Sequence, residues 1–168
     1  MRCSALLVLG LLLALGCVLP GTLPAPEEEA LRIRDLSDEG DPMRRAALDL
    51  LTEALGADAA QDASRARGLY ARALQIDSSN PYAYLALARH HAEVGDARQA
   101  MQHLDRAEDL LRSYDGLSPR VEVHLLGLRG VAMQRSGRVE EGDAWVARAA
   151  SIAPSVWGDG ELTADELR

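Results

Sequence analysis

The sequence predicts an all-α protein built from stacked helical hairpins, about three of them, six helices in all. Three observations carry that expectation. Pro81 to Leu111 reads as two amphipathic helices joined by a turn at Gly95-Asp96. A degraded copy of the same unit stands on each side of it. Phe is absent and only 4% of residues are aromatic, so the core must be made of Leu, Ala and Val. Closely packed helices tolerate such a core, whereas a β-sandwich would be hard to fill.

The central unit is the clearest. Asn80 is a good N-cap, and Pro81 suits the first helical position because its missing N–H would have no partner there. Tyr84, Leu87, Ala88 and His91 recur at three- and four-residue spacing and share one helix face. Gly95 offers the backbone freedom for a helix stop. Asp96, with Gln99 three residues on, starts the second helix as a capping box. Ala97, Ala100, Leu104, Ala107 and Leu111 form its stripe. Small alanines set against large residues let the two helices approach closely. Neither stripe is satisfied within one hairpin, so such units stack.

These residues resemble the tetratricopeptide repeat, which has a period of about 34 residues and the pattern W-x2-L-G-x2-Y, then A-x3-F, then P. The chain has Tyr84-x2-Leu87-Ala88-x2-His91, then Ala100-x3-Leu104, with Arg112 in the closing-proline position. Upstream, Ala66-x3-Tyr70, Ala73, Leu74 and Ile76-Asp77 resemble the second helix of a repeat. Downstream, Gly130, Met133, Gly137, Gly142-x3-Val146, Ala149 and Pro154 resemble a third unit, with Arg129 where the leucine belongs. The resemblance covers residues 42–154 and implies a short right-handed solenoid.

Taken in order, residues 1–16 read as a secretory signal. Arg2 precedes an apolar run from Ala5 to Leu15, which is shorter than the roughly 20 residues needed to cross a bilayer. Ala14-Leu15-Gly16-Cys17 resembles a bacterial lipoprotein box, which implies acylation of Cys17. Ordinary signal cleavage and an uncleaved anchor remain alternatives. Residues 17–41 form an acidic, proline-containing tether, in which Leu31, Ile33 and Leu36 can make a short turn against the domain. Asp41-Pro42 starts the first helix, Leu48, Leu51 and Leu55 form its stripe, and Gly56 is expected to end it. A loop then leads to a helix from about Asp62 to Ile76. Beyond the central hairpin, Asp115-Gly116 turns the chain. Ser118-Pro119 opens the fifth helix, Gly137 ends it, and Val139 to Ile152 makes the sixth. The tail, 155–168, contains half of an EF-hand-like loop at Asp159 to Glu166, but Ser155 and Trp157 stand where ligands belong. Its better reading is a capped turn, Thr163 with Glu166, stapled by Leu162 and Leu167.

The chemistry of the chain argues for binding rather than catalysis. All eighteen basic residues are arginine, so no side-chain amine is available for Schiff-base chemistry. The net charge of −8, one unit more negative without Arg2, makes a poor nucleic-acid ligand. Both cysteines, Cys3 and Cys17, precede the domain. The four histidines lack the spacing of a helical metal site, and His91 is expected in the aromatic slot of the central hairpin. Neither a cofactor nor a metal is expected, and no residue stands out as catalytic.

Family resemblance supplies the site. In tetratricopeptide proteins the first helix of each unit lines a concave groove that receives peptides. Carried across position by position, this implies Tyr82, Leu85, Arg89 and Glu93 from the middle unit and His124, Val131, Gln134 and Arg135 from the third. Arg89 and Arg135 can clamp a carboxylate; equally, they can serve only to solvate a helix face. The expectation is a periplasmic or outer-membrane-anchored adaptor that holds a protein or peptide partner and touches the membrane only through an N-terminal lipid. The alternative is a structural protomer that self-associates through Trp145 and Ile152, an apolar face of the last helix that Trp157 and Leu162 are expected to cover in part.

Overall fold

The computed structural model describes residues 30–36, 41–114 and 116–168. Cys17, the leader, most of the tether and Asp115 lie outside the described residues. A single 3-10 turn, Ile33–Asp35, precedes eight α-helices among the described residues. These are α1 (Pro42–Ala59), α2 (Ala63–Ile76), α3 (Pro81–Glu93), α4 (Ala97–Ser113), α5 (Pro119–Arg135), α6 (Val139–Ile152), α7 (Pro154–Trp157) and α8 (Ala164–Leu167). Helices α1 and α2, α3 and α4, and α5 and α6 pair as three hairpins. The hairpins stack in chain order, with α3 packed against α1, α2 and α5.

Local chemistry explains where these helices begin. The side chains of Asp41, Asp62, Asn80 and Asp96 each accept a backbone N–H in the first turn of α1, α2, α3 and α4. Proline occupies the opening turn of α1, α3 and α5, where no amide partner is lost. Helix α1 runs one turn further than its sequence suggested. It passes through Gly56, because Ala57 and Asp58 face the interior and hold the extra turn. The chain reverses instead at Gln61, which adopts a left-handed φ of 61°.

Alanine and glycine set the spacing between helices. Ala100, Leu104, Ala107 and Leu111 of α4 are all buried. Ala92, Ala100 and Ala132 meet in a small cluster where α3, α4 and α5 come together. Ala100 has no exposed surface, so Ala100→Leu should overpack the cluster and cost about 1–3 kcal/mol in chemical denaturation. A loss within measurement error would contradict this packing. At the α5–α6 crossing, a Cβ placed on Gly130 would lie 2.8 Å from the Gly142 carbonyl oxygen. Only a pair of glycines permits that approach.

The described segments before α1 and after α6 both fold back onto the helices. Beyond α6 the chain folds back over the first helices of the hairpins, and α8 packs on α1. Val156, Trp157, Leu162, Ala164 and Leu167 are buried. From the other end, Ala30, Leu31 and Ile33 are buried. The Leu31 amide donates to the Arg120 carbonyl at 3.1 Å, and the Arg34 amide donates to the Arg168 carbonyl at 2.9 Å. Leu162 lies at the first helices, beside Leu128 and Val131, and Trp157 lies against α5. A Cβ on Gly127 of α5 would lie 2.3 Å from the Trp157 ring, so the indole lies against that glycine. Ile152 remains 45% exposed and Trp145 is half-buried.

Candidate functional site

Helix α3 lies at the centre of the stack, and this changes what its residues can do. Ala83, Leu85, Ala86, Ala88, Arg89, His90 and Ala92 are all buried on it. The helix is thus enclosed on more sides than the single stripe at Tyr84, Leu87, Ala88 and His91 predicted. Leu85, expected to face the groove, is core. His91 is half-buried and stacks on His103 of α4, with ring centroids 5.1 Å apart.

The interior of the first two hairpins is held by a charged cluster centred on Asp58 at the end of α1. Its carboxylate accepts from Tyr70 Oη at 2.8 Å, from Arg89 Nη2 at 2.5 Å and from His90 Nδ1 at 2.9 Å. Arg89 also donates through Nη1 to Glu93 at 2.7 Å. Burial alone would raise the Asp58 carboxyl; the hydrogen bonds from His90 and Tyr70 and the charge of Arg89 outweigh it and hold the group below the usual carboxylate range. Burial and the neighbouring Asp58 charge push the Tyr70 phenol up. With its side chain only 3% exposed, Arg89 is committed inside the protein and cannot act as half of a carboxylate clamp.

Beside this cluster lies a cavity of about 320 Å³, lined from α1, α3, α5 and the returning tail. Asp58, Arg89, Glu93, Leu128, Val131, Arg135 and the stretch 161–165 form its walls. Four of the eight expected groove residues, Arg89, Glu93, Val131 and Arg135, thus come together around one space. The other four do not. Leu85 and His124 are buried in the core, and Tyr82 is half-buried away from the cavity. Gln134 donates to Asp143 at 2.7 Å, beside a neighbouring surface depression.

His124 instead fastens the N-terminal segment. Its Nε2–H donates to the Leu31 carbonyl at 2.9 Å, and Trp157 packs with its ring centroid 6.3 Å away. Burial holds His124 neutral, its pKa lowered to about 4 against the opposing pull of the Leu31 hydrogen bond. The unfolded imidazole titrates near 6.5, so below that pH the unfolded chain takes up a proton that the fold refuses. Stability should be full above pH 6.5 and fall as the pH drops towards 4, with about 2 kcal/mol lost by pH 5. Burial also lowers His91 and His103, which adds in the same direction. Urea midpoints at pH 7 and pH 5 check this, and His124→Gln should remove part of the difference. Equal dependence in the variant would show that His124 has no part in it.

Two contributors were missed in the sequence although a signal was present for each. Asp58 continues the Leu48, Leu51, Leu55 stripe at helical spacing, so its place on the buried face was legible once α1 was allowed past Gly56. The tail carries Val156, Trp157, Leu162 and Leu167 in a short span, which is too apolar for a solvated end.

Among the described residues no helix is long and apolar enough to cross a membrane. A family model described as tetratricopeptide repeat matches residues 59–113, from the last residue of α1 to the end of α4. No curated protein and no solved structure matches the chain. The match takes in α2, α3 and α4, and the same helical-hairpin arrangement extends on either side of it through α1, α5 and α6.

Proposed function

We propose that the protein is a non-enzymatic adaptor of the bacterial cell envelope, exported by its leader, tethered through an acylated Cys17, and holding a segment of a protein partner at the cavity between α1, α3, α5 and the tail. The observation that carries this reading is the cavity itself. Each of the three hairpins contributes its first helix to one space, which is what stacked hairpins provide for a bound segment. Its volume, about 320 Å³, is at the lower end of the range for ligand sites, enough for one or two side chains rather than for a whole peptide laid along a groove. The tail and the N-terminal segment occupy the rest of that side.

A photo-crosslinking residue in place of Val131 tests the site, with exposed Arg72 of α2 as the outward-facing control. Adducts to a partner in envelope preparations should form at position 131 and not at 72. Equal adducts at both positions would rule out the cavity as the docking site. The tether is tested by fatty-acid labelling in a bacterium: the wild type should take up label and Cys17→Ser should not. A wild type that labels no better than the variant defeats the lipoprotein part of the reading.

A second reading, self-association, draws on α6, where Val139 and Ile152 are 52% and 45% exposed. Sedimentation of Trp145→Glu against the wild type separates the two, since only a self-associating protein should lose mass with concentration-dependent behaviour.

A further inference from the structure

The cavity is acidic in balance. Four carboxylates line it, from Asp58, Glu93, Glu161 and Asp165, against two guanidinium groups, from Arg89 and Arg135. The Arg89 charge is already shared between Asp58 and Glu93. Asp165 has its own partner in Arg168 at 3.0 Å, yet its side chain is 63% exposed. The Glu93 carboxylate is 44% exposed. Glu161 has no ion pair among the described residues, nor has Arg135, which stands alone as the accessible cation of the rim. Between these charges the wall is apolar, formed by Ala92, Leu128, Val131, Leu162 and Ala164.

An apolar wall rimmed by the exposed carboxylates of Glu93, Glu161 and Asp165 suits one kind of side chain. Lysine and arginine lay a hydrocarbon stem along apolar surface and keep a cationic head in a polar rim. The geometry points to a basic side chain of a partner segment as the occupant of this cavity: its stem against Val131 and Leu128, its head between Glu93 and Glu161. This inference rests on the functional reading above and gives its partner a chemistry. It reverses the carboxylate clamp expected from Arg89 and Arg135, because one of those arginines is spent internally. The Glu27, Glu28 and Glu29 stretch of the chain's own tether has the wrong sign to be that occupant.

The test is selection of short random peptides on the purified protein, followed by fluorescence anisotropy of individual dye-labelled peptides. Selected peptides should share a Lys or Arg, and replacing it with Gln should abolish measurable binding. Glu161→Gln should weaken these peptides on the order of threefold, as expected for one partly exposed charge pair, and Arg135→Glu should tighten them. Both side chains are exposed, so unchanged melting curves will show that the fold is intact. Selection of acidic or uncharged peptides, or weakening by Arg135→Glu, overturns the basic-side-chain inference while leaving the docking site standing. Retention of no peptide overturns both.

Discussion

Asp58→Ala is expected to lower stability by about 3–5 kcal/mol, the range found when one partner of a buried ion pair is removed and the other is left behind. The mechanism is specific to this cluster. Arg89 sits with its side chain 3% exposed. Without Asp58 its guanidinium would keep only Glu93, and the hydroxyl of fully buried Tyr70 would lose its acceptor. Asp58→Asn keeps the shape and one acceptor oxygen but removes the charge, and should fall between wild type and alanine. Urea or guanidinium midpoints at pH 7 measure all three. A loss below 1 kcal/mol for the alanine variant would mean that the cluster hydrates or rearranges, and that the first two hairpins are not joined through it. Because Asp58 belongs to α1 and Arg89 and His90 to α3, the variant should also loosen the contact between hairpins more than the hairpins themselves.

Trp157→Ala should cost a similar amount, about 3–5 kcal/mol, as large aromatic truncations in a packed core do. Trp157 has no exposed surface. It lies against Gly127, where no side chain intervenes, and beside His124. Alanine there leaves a hole beneath the tail that α5 cannot fill from its own side. The tail should then detach, and limited proteolysis should cut after residue 153 in the variant while sparing the wild type. Gly127→Val approaches the same contact from the other side, since its first added carbon would clash with the indole. If Trp157→Ala melts near the wild type and resists proteolysis, the tail is held by Leu162 and Leu167 and the indole is incidental.

How far the sequence could be read depended on the range of the interaction. The hairpins were legible because their signals are local: caps at Asn80 and Asp96, a stripe at Ala100, Leu104, Ala107 and Leu111, a turn at Gly95. Where a residue's role depends on a distant partner, the reading failed. Arg89 looked like an exposed groove residue because nothing in its own helix reveals Asp58, which sits in the preceding hairpin. Gly56 looked like a helix stop because the burial that carries α1 past it comes from α3. The destination of Trp157 was hidden for the same reason, although Gly127 inside α5 was a trace of the contact. His124 looked like a groove residue until the N-terminal segment was seen to lie over it. Four of the eight positions carried over from the repeat pattern line one cavity; the tail that completes it was beyond the pattern, which ends at Pro154.

The hydrogen bond from the Arg34 amide to the Arg168 carbonyl joins the two ends of the described chain. A repeat array is ordinarily one-dimensional: each unit touches its neighbours, and the array can fray from either end. Here the ends hold each other across the first helices of all three hairpins. Bringing such distant segments together costs about 4 kcal/mol of loop-closure entropy. Burial of Leu31, Ile33, Trp157, Leu162 and Leu167 works against that cost. The chain then behaves less like a zipper and more like a clasped ring. Its hairpins rest on contacts close in sequence, whereas the clasp joins Arg34 to Arg168 and needs the stacked hairpins beneath it.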